Sequence, residues 1–133
     1  MFQGLYLVYL IDTNILLFSF AQTEKLSAKV KHILQTEDAI FISMASFWEI
    51  EIKRNLRKLA IPFSPKELIN YCLEQNYSIL NINIEHISEL EKLPKIHNDP
   101  FDRLIICQAI SENLTILTAD ATIPRYPVKS IWK

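Results

Sequence analysis

Continuous hydrophobic runs dominate the pattern of the chain, beginning with residues 5–11. A run without polar alternation is typical of a strand covered on both faces, as in a parallel sheet. Further strands are predicted at 39–42, 77–82, 115–118 and 130–132. Helices are predicted from Thr23, from Ser43 or Ser46, over 64–75, over 83–93 and over 99–112, from apolar spacing and capping residues. The apolar pattern also returns at 15–21, where no separate element is predicted.

This alternation of strands and helices predicts an α/β fold. We expect a three-layer α/β/α sandwich with a mostly parallel central sheet of about five strands. With 133 residues, half of them hydrophobic, the chain suits a single domain over 1–133. Asp12 and Asn14 interrupt the first apolar stretch, which is then too short to cross a bilayer, so no membrane association is expected.

Composition excludes several classes of chemistry. The only glycine is Gly4, so no glycine-rich loop is present to bind a phosphate. Cys72 and Cys107 have no neighbouring cysteine, and the three histidines lack metal-ligand spacing, which argues against a zinc site. Such cysteines are expected in the core of a cytoplasmic protein. The net charge of −1 favours no class of partner.

Acidic residues are predicted to gather at one edge of the sheet. Asp12 directly follows the first strand, and Asp120 lies just past the strand at 115–118. The carboxyl ends of parallel strands meet at one edge, where the following helices begin. The helix from Asp99 feeds that same strand, so it begins at this edge and presents Asp99 and Asp102 on one face.

Glu49 is predicted to join these acids. On a helix following the strand at 39–42, one apolar stripe is predicted to contain Ala45, Trp48, Ile52, Leu56 and Leu59. Glu49 flanks the centre of that stripe more closely than Glu51 does, so Glu49 is expected to face inward near the carboxyl edge.

Four or five acids at one edge repel one another unless cations neutralise them. Divalent metal ions resolve this repulsion. Because the set offers oxygen ligands without histidine or cysteine, Mg²⁺ or Mn²⁺ is favoured over zinc. Such ions bind phosphodiesters and activate water.

The motifs that carry these acids resemble those of PIN domains, and more narrowly those of the VapC-type ribonuclease toxins of prokaryotic toxin–antitoxin pairs. The motifs are Asp12-Thr13-Asn14, Ser46-Phe47-Trp48-Glu49-Ile50 with Lys53, His97-Asn98-Asp99-Pro100-Phe101-Asp102-Arg103, and Thr118-Ala119-Asp120. They occur in family order and at family spacing over nearly the whole chain.

The resemblance implies a Mg²⁺- or Mn²⁺-dependent endoribonuclease acting on RNA. It matches Asp12, Glu49, Asp102 and Asp120 to the acidic quartet of the family, with Asp99 as a neighbouring acid. Thr13, Asn14 and Thr118 fall on small polar positions that support the acids. The resemblance also implies a homodimer that a cognate antitoxin protein neutralises. Where this subgroup usually has Gly-Lys-Leu, the chain has Arg57-Lys58-Leu59, so the helix carrying Glu49 is expected to run longer or to end differently.

Simpler roles remain open for several of these residues. Asp99 before Pro100 suits a helix cap, Asp120 suits a turn, and His97 suits a structural position. Glu49 could pair with Lys53 one helical turn away. The basic residues of this helix could contact RNA phosphates or an acidic antitoxin segment, or could simply be solvated. These residues are Lys53, Arg54, Arg57 and Lys58.

Other classes of protein fit the sequence less well. A phosphoryl-accepting receiver domain would need an acidic pair after the first strand, and a D-x-D phosphatase would need an acid where Asn14 stands. The remaining alternative is a non-catalytic PIN-like module that binds RNA or protein. The five acids argue against it, because an inert scaffold has no need of unneutralised carboxylates at one edge.

Overall fold

Five short parallel strands form the central sheet of the structure, a computed structural model that describes residues 7–133. Gly4 and the first two residues of the predicted first strand, Leu5 and Tyr6, lie outside the described residues. The strands are β1 (Tyr9–Ile11), β2 (Ile40–Ser43), β3 (Ser78–Leu80), β4 (Thr115–Leu117) and β5 (Ser130–Ile131). Each lies within, or one residue beyond, its predicted range.

The strand order creates a crevice at one edge of the sheet. The order is β3-β2-β1-β4-β5, with every neighbouring pair parallel. From β1 the chain proceeds outward through β2 and β3, then crosses to β4 on the other side of β1. In open α/β sheets, ligands bind beyond the carboxyl ends of the strands where the order reverses in this way. Here that position lies between the ends of β1 and β4.

Helices cover both faces of the sheet and confirm the predicted α/β/α sandwich. They are α1 (Thr13–Ala21), α2 (Ala28–Thr36), α3 (Met44–Asn55), α4 (Pro65–Glu74), α5 (Ile84–Glu89) and α6 (Pro100–Glu112). One core packs α1, α2 and α4 on the face that carries Tyr9 and Ile11. The other packs α6 on the face that carries Leu10. Both cysteines are free and buried, as expected.

Helix α1 is the one long element that the sequence pattern missed. It begins directly after β1, with Asp12 as its N-cap. Strand and helix are both apolar and only one residue separates them, so neither a polar linker nor a change of period marks the boundary. The returning apolar run at 15–21 is therefore a helix packed against the sheet.

Two helix boundaries also differ from prediction. The helix predicted from Thr23 begins at Ala28, because Leu26 is extended and Ser27 caps α2 by accepting a hydrogen bond from the N–H of Val30. The helix predicted over 83–93 keeps its α form only to Glu89 and continues as hydrogen-bonded turns. The capping box at Ser64 and Glu67 is confirmed.

Three helices end in the left-handed conformation without a glycine. Arg57, Asn76 and Asn113 have φ values of 59°, 65° and 57° after α3, α4 and α6. After α3, the N–H of Lys58 bonds to the carbonyl of Lys53, and the N–H of Arg57 bonds to that of Arg54. This Schellman pattern is the one that glycine usually completes. The expectation that arginine would change this helix end is therefore wrong, because Arg57 adopts the glycine-like conformation.

Arg57→Gly should stabilise the protein. Arginine in the left-handed region carries a steric cost that glycine avoids, offset in part by the greater freedom of glycine in the unfolded chain. We expect the free energy of unfolding to rise by about 0.5 to 1 kcal/mol in urea titrations. Lys58→Gly, at the adjacent exposed position with negative φ, is the matched control and should not stabilise. Equal effects from the two substitutions would contradict this explanation of the helix end.

Candidate active site

Asp12 occupies the crevice between β1 and β4. It follows β1 directly and is only 3% exposed. Its carboxylate caps α1 by accepting a hydrogen bond from the N–H of Ile15 at 2.9 Å. Thr118, at the end of β4, is also buried and hydrogen-bonds the Asp12 side chain. One carboxylate is thus held by a helix N-terminus and by the neighbouring strand.

Glu49 projects from α3 into the same region and is 4% exposed. The Thr13 hydroxyl donates a hydrogen bond to Glu49 Oε1 at 2.6 Å, and a 2.9 Å hydroxyl–hydroxyl hydrogen bond joins Thr13 to Ser46. Lys53 Nζ lies 2.6 Å from Glu49 Oε2. The expected i,i+4 pair is therefore present, but the carboxylate in it is buried.

The apolar stripe predicted for α3 is right at Ala45 but wrong at Trp48 and Leu56, and the inward position of Glu49 is right. Trp48 and Leu56 are 58% and 60% exposed, and Trp48 packs edge-to-face on Phe101. The buried face is instead made by Ala45, Ser46, Phe47, Glu49 and Ile50. Helix α1 packs against this side of α3, where Thr13 contacts Ser46 and Glu49. Ala45, Ser46 and Glu49 are therefore buried, whereas Trp48 is exposed.

A network of hydrogen bonds between residues that are distant in sequence orients Asp102. The Tyr126 hydroxyl accepts from the His97 backbone N–H at 3.0 Å and lies 2.7 Å from His97 Nδ1. Arg103 also donates to this hydroxyl. With both donors filling its lone pairs, the hydroxyl donates its proton to Nδ1. The remaining His97 N–H, at Nε2, then faces Asp102 Oδ2 at 3.4 Å.

Asp99 and Asp120 make the local contacts expected of caps and turns. Asp99 Oδ1 accepts from the N–H groups of Phe101 and Asp102 at the start of α6. Asp120 Oδ1 accepts from the N–H of Thr122, and its own N–H donates to Thr118 Oγ1. Each side chain has a local role, and each is also close enough to another acid to perturb its pKa.

The acids interact electrostatically across the crevice. Burial raises the pKa of Asp12 to about 6, with further increases from Asp120 and Glu49 and partial relief from hydrogen bonds of Thr118 and Ile15. Burial likewise raises the pKa of Asp102 to about 7, with further increases from Asp99, Asp12 and Glu49, while His97 opposes the shift. The edge therefore concentrates negative charge in poorly solvated positions.

This oxygen-only set fits Mg²⁺ or Mn²⁺ in its chemistry. Carboxylates are the preferred ligands of both ions, and a divalent cation would offset the burial and the smaller repulsion that raise the two pKa values. Within residues 7–133, no three Asp, Glu, His or Cys side chains are already arranged as a closed set of metal ligands. Ligation therefore requires side-chain adjustment around Asp12.

The other predicted residues occupy different surroundings. Asn14 is exposed and lines an apolar cavity of about 580 Å³ beside residues 59–63. Lys53 is half exposed, and its ammonium group points toward the acids. Arg54 pairs with Glu51 and the carbonyl of Phe63. Arg57 and Lys58 are exposed at the helix end.

Ser46 and Tyr126 hydrogen-bond residues of the candidate site, although neither is among the site residues predicted from the sequence. Ser46 lies three residues before Glu49, a spacing that places both on one helix face and could have indicated its role. Tyr126 offers no local signal, because its partner His97 is 29 residues away. Only the fold brings Tyr126 and His97 together.

Comparison with known proteins identifies the family of the chain. Residues 9–129 match the family model described as PIN domain. The chain belongs to the PIN domain family. Membership supports the nuclease class of activity expected from the sequence. No curated protein sequence matches the chain.

Solved structures share the fold of this PIN domain at low identity. VapBC2 from Rickettsia felis, bound to a DNA fragment from its promoter, aligns with a TM-score of 0.72 and 18% identity over 96% of this chain and 100% of that chain. DNA-bound VapBC from Salmonella typhimurium gives 0.67 and 16% over 96% and 100%. FitAcB from Neisseria gonorrhoeae gives 0.64 and 18% over 93% and 96%. At these identities the likeness establishes the fold.

None of the helices within residues 7–133 has both the length and the apolar character needed to cross a bilayer. The buried Asp12 interrupts the apolar stretch around β1 and α1. The first part of that stretch lies in the sheet as β1, and the second part is helix α1, which packs on the sheet.

The metal-free PIN domain should lose stability as the pH rises through the range in which Asp12 titrates. A carboxyl whose pKa is higher folded than unfolded binds more protons in the folded state between the two values. For Asp12 this window runs from 3.8 to about 6. In EDTA, Asp12→Asn should therefore be more stable than the wild type by roughly 2 to 3 kcal/mol above the window and lose that advantage below it.

Urea unfolding of both proteins at a series of pH values measures this difference. Asparagine keeps the side-chain oxygen that caps α1, so the cap is retained. Asp38→Asn changes an exposed aspartate and serves as the control with no pH-dependent difference. A wild type that stays as stable as Asp12→Asn at high pH would contradict the burial of an unneutralised Asp12 carboxylate.

Proposed function

We propose that this chain is an endoribonuclease that hydrolyses RNA phosphodiester bonds with Mg²⁺ or Mn²⁺. The observation that carries the proposal is the meeting of Asp12, Glu49 and Asp102 beyond the carboxyl ends of β1 and β4, with pKa values raised at Asp12 and Asp102. Membership in the PIN family supports the same class of activity. RNA as substrate comes from the resemblance to VapC-type toxins.

The metal ligands in this proposal are the carboxylates of the acidic edge. They are Asp12, Glu49, Asp102 and Asp120, with Asp99 as a neighbouring acid. When bound, Mg²⁺ or Mn²⁺ supplies positive charge for the scissile phosphate and lowers the pKa of water. The reaction adds water across one P–O bond of the RNA backbone.

The chain contributes by fixing the acids before substrate arrives. Thr13 holds Glu49 at 2.6 Å, and the N-terminus of α1 holds Asp12. The His97 ring, itself fixed by Tyr126, faces Asp102. Once the acids have closed around a metal ion, these supports would hold them in place, so that little reorganisation is needed during the reaction itself. Thr118 supports Asp12 in the same way.

We further propose that the nuclease is the toxin of a toxin–antitoxin pair, acting in the cytoplasm as a homodimer with an antitoxin protein as its partner. One solved structure with this fold is a toxin–antitoxin complex from Klebsiella pneumoniae, and another is VapBC2 from Rickettsia felis bound to promoter DNA. Their shared fold supports the proposal for this chain. Sedimentation of the purified protein, alone and with the product of a co-transcribed neighbouring gene, tests both assemblies.

Asp12→Asn should abolish metal-dependent RNA cleavage. We expect purified wild-type protein to cleave single-stranded RNA with Mn²⁺ or Mg²⁺ and to stop in EDTA. The variant should lose activity by about a hundredfold or more, since even residues that only support a metal ligand cost 10- to 100-fold. Gel analysis of a labelled RNA measures the rates.

Asp38→Asn is the matched control, because it makes the same change at an exposed position outside the site. Cleavage that survives both EDTA and Asp12→Asn would overturn the mechanism. Purified protein that binds the neighbouring gene product but never cleaves RNA would favour the non-catalytic binding module.

A further inference from the structure

The ammonium group of Lys53 contacts a carboxylate that the proposed function assigns to metal. Lys53 Nζ lies 2.6 Å from Glu49 Oε2, and the side chains are 44% and 5% exposed. The Glu49 carboxylate is thus buried, while the lysine reaches it from the solvent side. This contact occupies one oxygen of Glu49, for which the described residues 7–133 provide no other ion-pair partner.

Both oxygens of Glu49 are engaged in this arrangement. Oε1 accepts from the Thr13 hydroxyl at 2.6 Å, and Oε2 accepts from Lys53. Asp99 and Asp102 are also close enough to Lys53 to raise its pKa, after the larger effect of its hydrogen bond to Glu49. A single ammonium group therefore lies among three acids of the edge.

We propose that Lys53 is a built-in counter-ion that competes with the divalent cation for Glu49. The inference rests on the proposed function, because competition requires that a metal ion bind at this edge. In the metal-free chain Lys53 neutralises Glu49, and the ammonium must leave Oε2 when that oxygen ligates a metal.

Lys53 is the partner that moves. Glu49 is buried and held by Thr13, whereas Lys53 is half exposed on a flexible four-carbon side chain. Two cations cannot share one carboxylate oxygen without strong repulsion. Lys53 is therefore a positioning residue that sets how readily Glu49 becomes available to a metal ion.

Arg54 provides a matched comparison on the same helix. It carries the same charge one residue further on, but it pairs with Glu51 at 2.6 Å and donates to the carbonyl of Phe63. Its contacts keep it off Glu49. Removing either charge changes the net charge of the protein equally, so only a contact effect distinguishes the two.

Lys53→Met should bind Mn²⁺ more tightly than the wild type. Calorimetric titration of the full chain, stripped with EDTA and dialysed, with MnCl₂ should give a Kd about tenfold lower, equivalent to about 1.4 kcal/mol. Arg54→Met should stay within about twofold of the wild type, since it removes charge without freeing Glu49. Lys53→Arg, which keeps the charge, should restore a Kd close to the wild-type value.

Metal-free stability provides a second readout. In EDTA, the thermal unfolding temperature of Lys53→Met should be lower than that of the wild type, because Glu49 loses its partner. In saturating Mn²⁺, the unfolding temperature of Lys53→Met should be the higher of the two. Lys53→Gln, which is polar and shorter, repeats both measurements if the methionine variant folds poorly. A purely structural lysine would give the loss in EDTA without the reversal.

The outcomes separate the two proposals. Wild-type binding of Mn²⁺ with no gain in Lys53→Met, or an equal gain in Arg54→Met, overturns the counter-ion role and leaves the nuclease proposal intact. Absence of Mn²⁺ binding in wild type, Lys53→Met and Lys53→Gln alike overturns both. A tenfold gain confined to the variants that lose the Lys53 charge supports the counter-ion role.

Discussion

The burial of several carboxylates at one poorly solvated edge, where they also repel one another, is the constraint on which this structure depends. Asp12 is almost completely buried, and its pKa is raised first by burial and then by Asp120 and Glu49. A chain selected only for stability would replace such a group. Its presence supports the proposed metal site, which would gain stability from a bound cation.

The fold brings the acids together by topology. Because β1 and β4 are neighbours in the sheet but distant in sequence, the residues that follow them meet where the strand order reverses. The helices then supply the remaining acids from their first turns or inward faces. Helix caps, Thr13 and the His97–Tyr126 pair hold these side chains in place, and Lys53 supplies the one positive charge in contact with Glu49 within the described residues.

The sequence predicts the sheet, its parallel character and the meeting of the acids, because these follow from apolar runs and from the geometry of parallel strands. It fails where neighbouring elements decide. Only the short polar stretch Asp12-Thr13-Asn14 lies between the apolar runs of β1 and α1, and helix α1 begins within it, so hydrophobic periodicity does not reveal where the helix starts. The sequence correctly predicts that Glu49 faces inward, but the apolar stripe used for that prediction does not match the buried face of α3, since Trp48 is exposed and Ser46 is buried. Tyr126 reaches His97 only through tertiary structure, and Arg57 ends α3 as glycine would.

A crystal structure of the wild-type protein, from crystals grown with Mn²⁺, is the most direct test of the proposed metal site. Anomalous scattering locates manganese without assumptions about the ligands. We expect a manganese peak at the edge between β1 and β4, in contact with carboxylate oxygens of Asp12 and at least one of Glu49, Asp102 and Asp120. We also expect that Lys53 Nζ no longer contacts Glu49 wherever Glu49 is a ligand. Well-ordered carboxylates with no manganese peak at this edge would contradict the proposed metal site.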